Sequence, residues 1–474
     1  MHKFTLFLAV LATSVVTFTT TNGIASAEIR NCTNGYLQSS PNDTCNDCAH
    51  EAAQISTPLD TLLTNINNVT AALPGTSIVF TPLSTHVQLI QANLTQAPSL
   101  TPSELVPTAN SIAQVVKISN QLAIAYFNIT TPDPTLPLKT TLLQLQPAVQ
   151  ALLTCTGPTK GCDLTVNLFN QLHPQVRVVL QSINATYPAP VLFTFISQLF
   201  DNATSAFHDG LANANASQLG LAAFELNAIA NSITPATLGG NAAPYEAIRG
   251  LSATTLAAMQ CLGLGTDVDS CSATMQFLGT FIQFGENNIP TWLNQVVIVG
   301  QLVQAPAMEA FEKARITLVS GNVTQFQEAA SNVEGALKFI QAVVIPLMPQ
   351  PAKAQMTSVV DALLSTIDSA LPCTGPLNPC KGFIEFGADF LTAAVYQFRR
   401  MPIIGELGTP FFVATEIFIS ILKAGSIVAI QDGVANFQAA ITTLGRIPGV
   451  SGLSLFQAVQ LFVNALSTCT GASS

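Results

Sequence analysis

One short motif that recurs at near-regular intervals constrains this chain more than any other feature. The stretch Cys155-Thr-Gly-Pro-Thr-Lys-Gly-Cys162 returns as Cys373-Thr-Gly-Pro-Leu-Asn-Pro-Cys380, more loosely from Cys261 to Cys271, and in truncated form from Cys469 to Ser474. The first cysteines of these motifs are 106, 112 and 96 residues apart (155 to 261, 261 to 373, 373 to 469). This spacing divides the chain into segments of about one hundred residues, the size of a small domain.

The segments also align with one another between the motifs. Residues 425–432 align with residues 321–328 at an offset of 104, and the third segment aligns with the second at an offset of 107, so that Asn322 coincides with Asn215. The sequence therefore predicts four tandem copies of one domain. Their predicted boundaries are 48–155, 162–261, 271–373 and 380–469.

Apolar residues recur at three- and four-residue steps, which is the period of an amphipathic α-helix. Proline clusters divide the first segment into about four helices, at 49–72, 82–96, 102–129 and 137–154, and residues 288–290 are expected to end a helix in the third. We therefore predict an all-α chain of four tandem, disulfide-stapled helical-bundle repeats. Because the linkers between them are short, we expect the bundles to touch and to form a rod or arc.

The N-terminus has the pattern of a secretory signal peptide. Lys3 is followed by a long uncharged apolar and Thr-rich run that ends at residues 25–27, Ala-Ser-Ala, so that cleavage is expected before Glu28. Residues 1–27 are thus predicted to be the signal peptide and residues 28–47 a cysteine-containing tail. The expected location is secreted and extracellular, where cysteines are normally oxidised.

Ten cysteines in an exported chain are expected to form disulfides, and two pairings compete. If each motif closes on itself, Cys469 has no neighbour. If each segment is stapled from its first cysteine to its last, every cysteine is used, and the absence of a second cysteine in the last motif is explained because no fifth domain follows. The second scheme is favoured. Its pairs are Cys48 with Cys155, Cys162 with Cys261, Cys271 with Cys373, Cys380 with Cys469, and Cys32 with Cys45.

Composition excludes several classes of partner. The chain has a formal net charge of -10, so nucleic acid and anionic membrane surfaces are not expected to bind it. The most apolar stretches, 287–308 and 408–430, are interrupted by polar or charged residues, and no membrane span is predicted. Only 9% of the residues are charged, and glycans would hydrate such a surface. Nine Asn-X-Ser/Thr sequons are candidates: Asn31, Asn42, Asn68, Asn93, Asn128, Asn184, Asn202, Asn215 and Asn322.

No catalytic, cofactor or metal motif stands out. The four histidines after position 27 (His50, His86, His173 and His208) show no metal-ligand spacing, and the acidic residues fall on polar helix faces. The C-x-x-C spacing of Cys45 and Cys48 lacks the strand and helix of a redox centre, and Asp267 and Asp269 lack an EF-hand loop. We therefore expect no enzyme, no cofactor and no metal site.

Phenylalanine is the remaining anomaly, with 27 Phe against one Trp and five Tyr. Such residues normally fill the core of a bundle. The alternative is that those on the second helices line a cavity for an apolar ligand. The candidates are Phe193, Phe195, Phe200, Phe411, Phe412 and Phe418.

Three functions fit these observations. The first is a secreted, non-enzymatic repeat glycoprotein that acts as an extracellular structural or interaction module, by self-association or by binding other extracellular proteins. The second is a carrier of hydrophobic small molecules such as lipids within the bundles. The third is a multi-headed secreted inhibitor or effector.

Overall fold

The described part of the chain folds almost wholly into helices. The computed structural model describes residues 30–31, 37–38, 48–97, 101–127, 129, 132–157, 161–186, 189–213, 215–233, 242–263, 270–320 and 323–471. Two antiparallel two-residue strands, β1 (Arg30–Asn31) and β2 (Leu37–Gln38), come first. The helices are α1 (Cys48–Ala72), α2 (Ser77–Leu94), α3 (Pro102–Ala125), α4 (Leu136–Thr156), α5 (Asp163–Thr186), α6 (Pro190–Ala212), α7 (Ala216–Ser232), α8 (Ala242–Cys261), α9 (Ser270–Leu293), α10 (Val297–Ser320), α11 (Val323–Phe339), α12 (Ala352–Thr374), α13 (Pro379–Arg399), α14 (Thr409–Ala424), α15 (Ile427–Gly445) and α16 (Ser454–Thr470).

Four disulfides each join the start of one helix to the end of the third helix after it. The pairs are Cys48–Cys155, Cys162–Cys261, Cys271–Cys373 and Cys380–Cys469, with Cα–Cα separations of 5.2 to 5.7 Å. The favoured pairing is confirmed for these eight cysteines, and disulfides are compatible with an extracellular location. Cys32 and Cys45 lie outside the described residues. We call the stretches enclosed by the four disulfides units 1 to 4.

Each unit is a bundle of four helices. Consecutive helices pack together, and the fourth returns to pack against the first, which is what brings the two ends of the unit within reach of a disulfide. In unit 1, Ile66, Leu83, Leu122 and Leu145 come from the four different helices, and all are fully buried. The apolar stripes predicted from the sequence therefore meet along the axis of the bundle.

One predicted helix end was wrong. Residues 288–290 do not interrupt the third unit, because α9 continues through Pro290 to Leu293. The Asn288 side chain donates a hydrogen bond to the carbonyl of Phe284 (2.8 Å), and Trp292 and Leu293 are buried, so packing holds the last turn despite the proline. The chain leaves the helix at the next residue.

Residues at aligned positions of different units make equivalent hydrogen bonds. Asn215 accepts a hydrogen bond from the Gln218 amide at the start of α7, and Ser426 accepts one from the Ala429 amide at the start of α15. Likewise, Gln327 donates to the carbonyl of Thr374, and Gln431 donates to the carbonyl of Thr470 at 2.6 Å. These matched contacts support the alignment of units that was made from the sequence.

Neighbouring units touch, and they do so by one common arrangement. The second and third helices of a unit pack against the first and last helices of the next: α2 and α3 against α5 and α8, α6 and α7 against α9 and α12, and α10 and α11 against α13 and α16. The buried apolar residues consequently form one cluster that runs from Cys48 to Leu466. We call the three contact regions junction 1–2, junction 2–3 and junction 3–4.

Candidate functional site

Junction 1–2 is built around a buried carboxyl group. Glu246 on α8 is only 3% exposed, and its Oε2 accepts a hydrogen bond from the amide of Gly75, which lies in a short turn between α1 and α2 (2.8 Å). The hydroxyl of Tyr126 donates to the carbonyl oxygen of Glu246 (2.7 Å). Burial raises the pKa of Glu246, against the opposing effect of the hydrogen bond from Gly75, and burial also raises the pKa of Tyr126.

Two further contacts complete this polar junction. The side-chain oxygen of Gln114 on α3 accepts hydrogen bonds from the amide and the hydroxyl of Thr165 on α5, both at 3.0 Å. A Cβ atom at Gly75 would lie 2.3 Å from the carbonyl oxygen of Ala243, so only glycine allows these two backbone segments to approach so closely. Hydrogen bonding and close backbone contact therefore fix the orientation of unit 2 on unit 1.

Junction 2–3 combines aromatic and polar contacts. The ring of Phe195 on α6 stacks on Phe284 of α9 with centroids 4.3 Å apart and meets the edge of Phe281 at 5.2 Å. The hydroxyl of Ser365 on α12 donates to the carbonyl oxygen of Asn231 on α7 (2.8 Å). Phe195 thus contributes to the contact between two units.

Junction 3–4 is very close and mainly apolar, with an exposed ion pair between Glu328 and Lys381 (3.6 Å) and a hydrogen bond from the Asn378 amide to the Ser331 hydroxyl (3.1 Å). A Cβ atom at Gly335 on α11 would lie 2.2 Å from the carbonyl carbon of Gly382 on α13, and one at Gly382 would lie 2.1 Å from the carbonyl oxygen of Ser331. Phe339 lies beside this crossing and is fully buried. Its ring contacts four others at centroid distances of 4.9 to 5.8 Å, those of Phe383, Phe386, Phe390 and Phe462.

The six phenylalanines proposed to line a ligand cavity are in contact with protein side chains. Phe193 and Phe200 are buried in unit 2, and Phe195 packs in junction 2–3. In unit 4, Phe411 and Phe418 pack against Phe437, and the Arg399 guanidinium lies over Phe412 at 5.3 Å. The structure places these rings among the packed side chains of the bundles and junctions.

A surface groove of about 610 Å³ lies where unit 4 meets the end of α11. None of the six phenylalanines lines it. Its walls belong to α15, α16 and the short turn that follows α11, and they combine apolar side chains (Leu347, Ile441, Leu461 and Val463) with amides and a hydroxyl (Gln438, Gln457, Gln460, Asn464 and Thr442). Such a lining suits a ligand with both apolar and hydrogen-bonding parts.

Unit 4 also carries an exposed apolar stripe, which we call the α14 stripe. It consists of large aliphatic side chains that are more than half exposed: Leu407, Val413, Ile417, Ile427 and Val428. At the positions of unit 3 that align with Val413 and Ile417, an exposed ion pair joins Glu309 to Lys313 (2.6 Å). Val413 and Ile417 lie one turn apart on α14 and so share an exposed face, and exposed apolar faces commonly mark sites of interaction.

The α14 stripe overlaps an apolar segment. Among the described residues, the helical segment Gly405–Ala424 is long and apolar enough to cross a membrane by length and composition. It carries Glu416, which pairs with Arg399 of α13.

Two acidic residues, Glu334 and Asp361, are less exposed than their places on polar helix faces suggested. Glu334 is buried and pairs with Lys338 (2.8 Å), and Asp361 accepts a hydrogen bond from Gln341 (2.8 Å). Burial raises the pKa of Asp361 and of Asp368, and the charge of Glu334 raises the pKa of Asp368 further. Within the described part of the chain, no group of three or more His, Cys, Asp or Glu residues is arranged to hold a metal ion.

Two histidines that are distant in sequence lie together. The rings of His173 on α5 and His208 on α6 have centroids 4.8 Å apart, and both contact Phe169. Burial, together with the nearby His208, lowers the pKa of His173. The pair is a packing contact between neighbouring helices of unit 2.

The structure describes the asparagine side chains of four of the nine sequons. The side chains of Asn68, Asn93, Asn202 and Asn215 are exposed, as attachment of a glycan requires. Asn42, Asn128 and Asn322 lie outside the described residues, as do the side chains of Asn31 and Asn184. Glycosylation remains a prediction.

The groove and the α14 stripe were missed at the level of sequence, although each leaves a periodic signal. Gln457, Gln460 and Asn464 recur at steps of three and four residues on α16, and Gln438 and Thr442 are four apart on α15. The stripe follows the same period from Val413 to Ile417. Comparison of the chain with protein-family models, with curated proteins and with solved structures found no match.

Proposed function

We propose that this chain is a secreted, non-enzymatic glycoprotein that acts as an extracellular structural or interaction module. The observation that carries the proposal is the α14 stripe, where large apolar side chains are exposed on unit 4, while the unit 3 positions that align with Val413 and Ile417 carry an ion pair. Keeping such side chains in water is unfavourable, so a protein partner that covers them gains the free energy of their burial. The predicted signal peptide and the four disulfides support an extracellular setting.

The bundles supply rigidity to this module. Each unit is closed by a disulfide that spans 89 to 107 residues, and loops of this length gain up to about 4.7 kcal/mol in the chain-entropy account of cross-linking. The junctions join the cores of the four units. A binding surface at one end is thereby held at a defined distance from the other end.

Cross-linking of the protein in its source material tests the proposal. An interaction module is expected to be recovered covalently joined to extracellular protein, either other copies of itself or different chains. Replacing Ile417 with Glu places a charge in the α14 stripe and is expected to reduce this yield. Glu312→Gln on the exposed surface of α10 is a control. Recovery of the uncross-linked chain alone, for the native protein and both variants, would contradict the proposal.

The groove favours carriage of a small hydrophobic ligand as a second candidate. Its aliphatic residues and amides suit an amphipathic molecule such as a lipid. Native mass spectrometry of the protein purified from its source, followed by organic extraction, tests this candidate. A carrier would retain a mass beyond chain and glycans that extraction removes, whereas an interaction module would not.

A further inference from the structure

The last unit exposes a helix face whose counterpart in unit 3 is buried in a junction. On α11, Ser331, Asn332 and Gly335 form the face that meets the start of α13, and Ser331 is only 7% exposed. The second helix flanks the same contact, because α10 also packs against α13. The second and third helices of unit 3 together therefore present a docking face to unit 4.

In unit 4 the aligned positions are all exposed. At the offset of 104 residues, the face of α11 corresponds on α15 to Ala435, Asn436 and Ala439, and Lys313 corresponds to Ile417 of the α14 stripe. These side chains are small and uncharged, or apolar. They leave room for a second helix to approach, at a wider separation than in junction 3–4 because Ala439 stands in place of Gly335. We call this surface the terminal face.

The opposite end of the chain exposes the complementary face. In junction 1–2 the last helix of unit 2 buries three residues spaced about one turn apart, namely Glu246, Gly250 and Ala253. At the offset of 106 residues between Cys155 and Cys261, they correspond on α4 to Thr140, Gln144 and Pro147, which are exposed and uncharged. Leu143 lies beside them and is also exposed. We call this surface the leading face.

We propose that a second copy of this chain docks its leading face on the terminal face, so that the molecules associate head to tail. The contact continues the arrangement of the three internal junctions, in which second and third helices meet the first and last helices of the following unit. Because the two faces differ, the contact is heterologous and produces open chains or closed rings. This inference rests on the proposed function and names self-association as its form.

Charge does not oppose this association. Unit 4 carries five basic residues and five acidic ones between Cys380 and Cys469, and is therefore neutral. Unit 1 has two basic and four acidic residues between Cys48 and Cys155, a formal charge of -2. The residues named on the two faces are uncharged, and the exposed Asp432 lies one turn before Ala435, at the position that aligns with Glu328, which pairs with Lys381 across junction 3–4 (3.6 Å).

The test is sedimentation velocity of the full-length mature protein, from about 1 µM to about 1 mM, which spans weak protein association. Ala439→Arg blocks the terminal face and Gln144→Arg blocks the leading face. Each substitution is expected to weaken association at least about tenfold, because a desolvated, unpaired charge enters the contact. An equimolar mixture of the two variants is expected to form a dimer and nothing larger, because each retains one intact and complementary face.

Two controls separate a loss of association from a loss of folding. Ala305→Arg on the exposed surface of α10 should associate like the native protein, and circular dichroism should show unchanged helix content for all variants. Ala435→Arg replaces Ala439→Arg if the latter loses helix content. A native protein that is monomeric at every concentration overturns the proposal, as does a Gln144→Arg variant that still associates alone, which would indicate a symmetric contact. Because cross-linking to other proteins in the source would persist in the first case, failure here is distinguishable from failure of the proposed function.

Discussion

Junction 1–2 and junction 3–4 solve the same packing problem with different chemistry. In the first, the buried Glu246 receives a hydrogen bond on its carboxylate from Gly75, and its carbonyl accepts one from Tyr126. In the second, Phe339 packs among four other phenylalanines beside the crossing of Gly335 and Gly382. In both junctions a glycine lets two backbone segments approach. The groups around it are mainly hydrogen-bonded polar groups in junction 1–2 and mainly phenylalanine rings in junction 3–4.

The two junctions thus keep the same arrangement of helices while the source of their stability differs. The stabilising free energy of apolar rings is proportional to the area they bury and does not depend on pH. A buried carboxyl group fixes the orientation of two packed units through its hydrogen bonds. Its ionisation away from water, however, lowers the free energy of unfolding. Junction 3–4 should therefore be the more stable of the two, and junction 1–2 the more sensitive to pH.

Phe339→Ala should have the largest effect. Removing a fully buried ring leaves a cavity in junction 3–4 and is expected to lower the free energy of unfolding by about 3–5 kcal/mol. Urea unfolding followed by circular dichroism measures the loss. Tyr396→Ala, at an exposed ring, should change stability by no more than about 0.5 kcal/mol. A loss below about 1 kcal/mol for Phe339→Ala would show that the ring cluster is not packed as described.

Gly335→Ala should come next. The added methyl group would lie 2.2 Å from the backbone of Gly382, so α11 and α13 must separate, at a cost of about 1–3 kcal/mol for overpacking. Gly279→Ala is the matched control, because its methyl group would meet only Leu318 at an ordinary 3.6 Å, and alanine favours the helix. Opposite shifts of the thermal midpoint are expected for the two variants. Equal shifts would mean that the close crossing does not exist.

Tyr126→Phe should have a smaller effect, in junction 1–2. The substitution removes the hydroxyl that donates to the carbonyl of Glu246 and is expected to cost about 1–2 kcal/mol, because a buried acceptor loses its donor. The thermal midpoint is a suitable measure, with Tyr396→Phe as the exposed control. A Tyr126→Phe variant as stable as the native protein would show that this hydrogen bond does not stabilise the junction.

Glu246→Gln should have the smallest effect, and one that depends on pH. Because the pKa of Glu246 is raised on folding, the stability that its protonated form contributes is complete below the unfolded pKa and is lost as pH rises through the folded pKa. Glutamine still accepts from Gly75 and does not ionise. The variant should therefore match the native protein near pH 4, at the unfolded pKa of about 4.3, and exceed it in thermal midpoint near pH 7. A difference that is constant with pH, or equal to that of Glu312→Gln, would contradict this.

Much of the architecture could be predicted from local pattern, whereas the junctions could not. The cysteine spacing predicted the units and the favoured pairing, and the apolar period with the proline clusters predicted about four helices in the first unit. The contact of Tyr126 with Glu246 joins residues 120 apart, and the sequence offers no sign that a hydroxyl and a carbonyl will meet. The proline at 290 was misread because buried neighbours, which are a tertiary effect, hold the last turn of α9.

The same limit applies to the candidate sites. The surplus of phenylalanine was visible, but the role of each ring depends on the neighbouring unit, as Phe195 in junction 2–3 illustrates. The α14 stripe and Ala439 are likewise exposed because none of the four described units packs on them. Periodicity identifies which residues share a face, but only the packing of units decides whether that face is covered.

Each unit is tied at its own two ends, and neighbouring units are joined by packing and one short linker. Peptide mapping of the purified protein without reduction tests this arrangement most directly. The account predicts disulfide-linked peptides that join Cys48 to Cys155, Cys162 to Cys261, Cys271 to Cys373 and Cys380 to Cys469. Peptides in which Cys155 is bonded to Cys162, or Cys373 to Cys380, would contradict it.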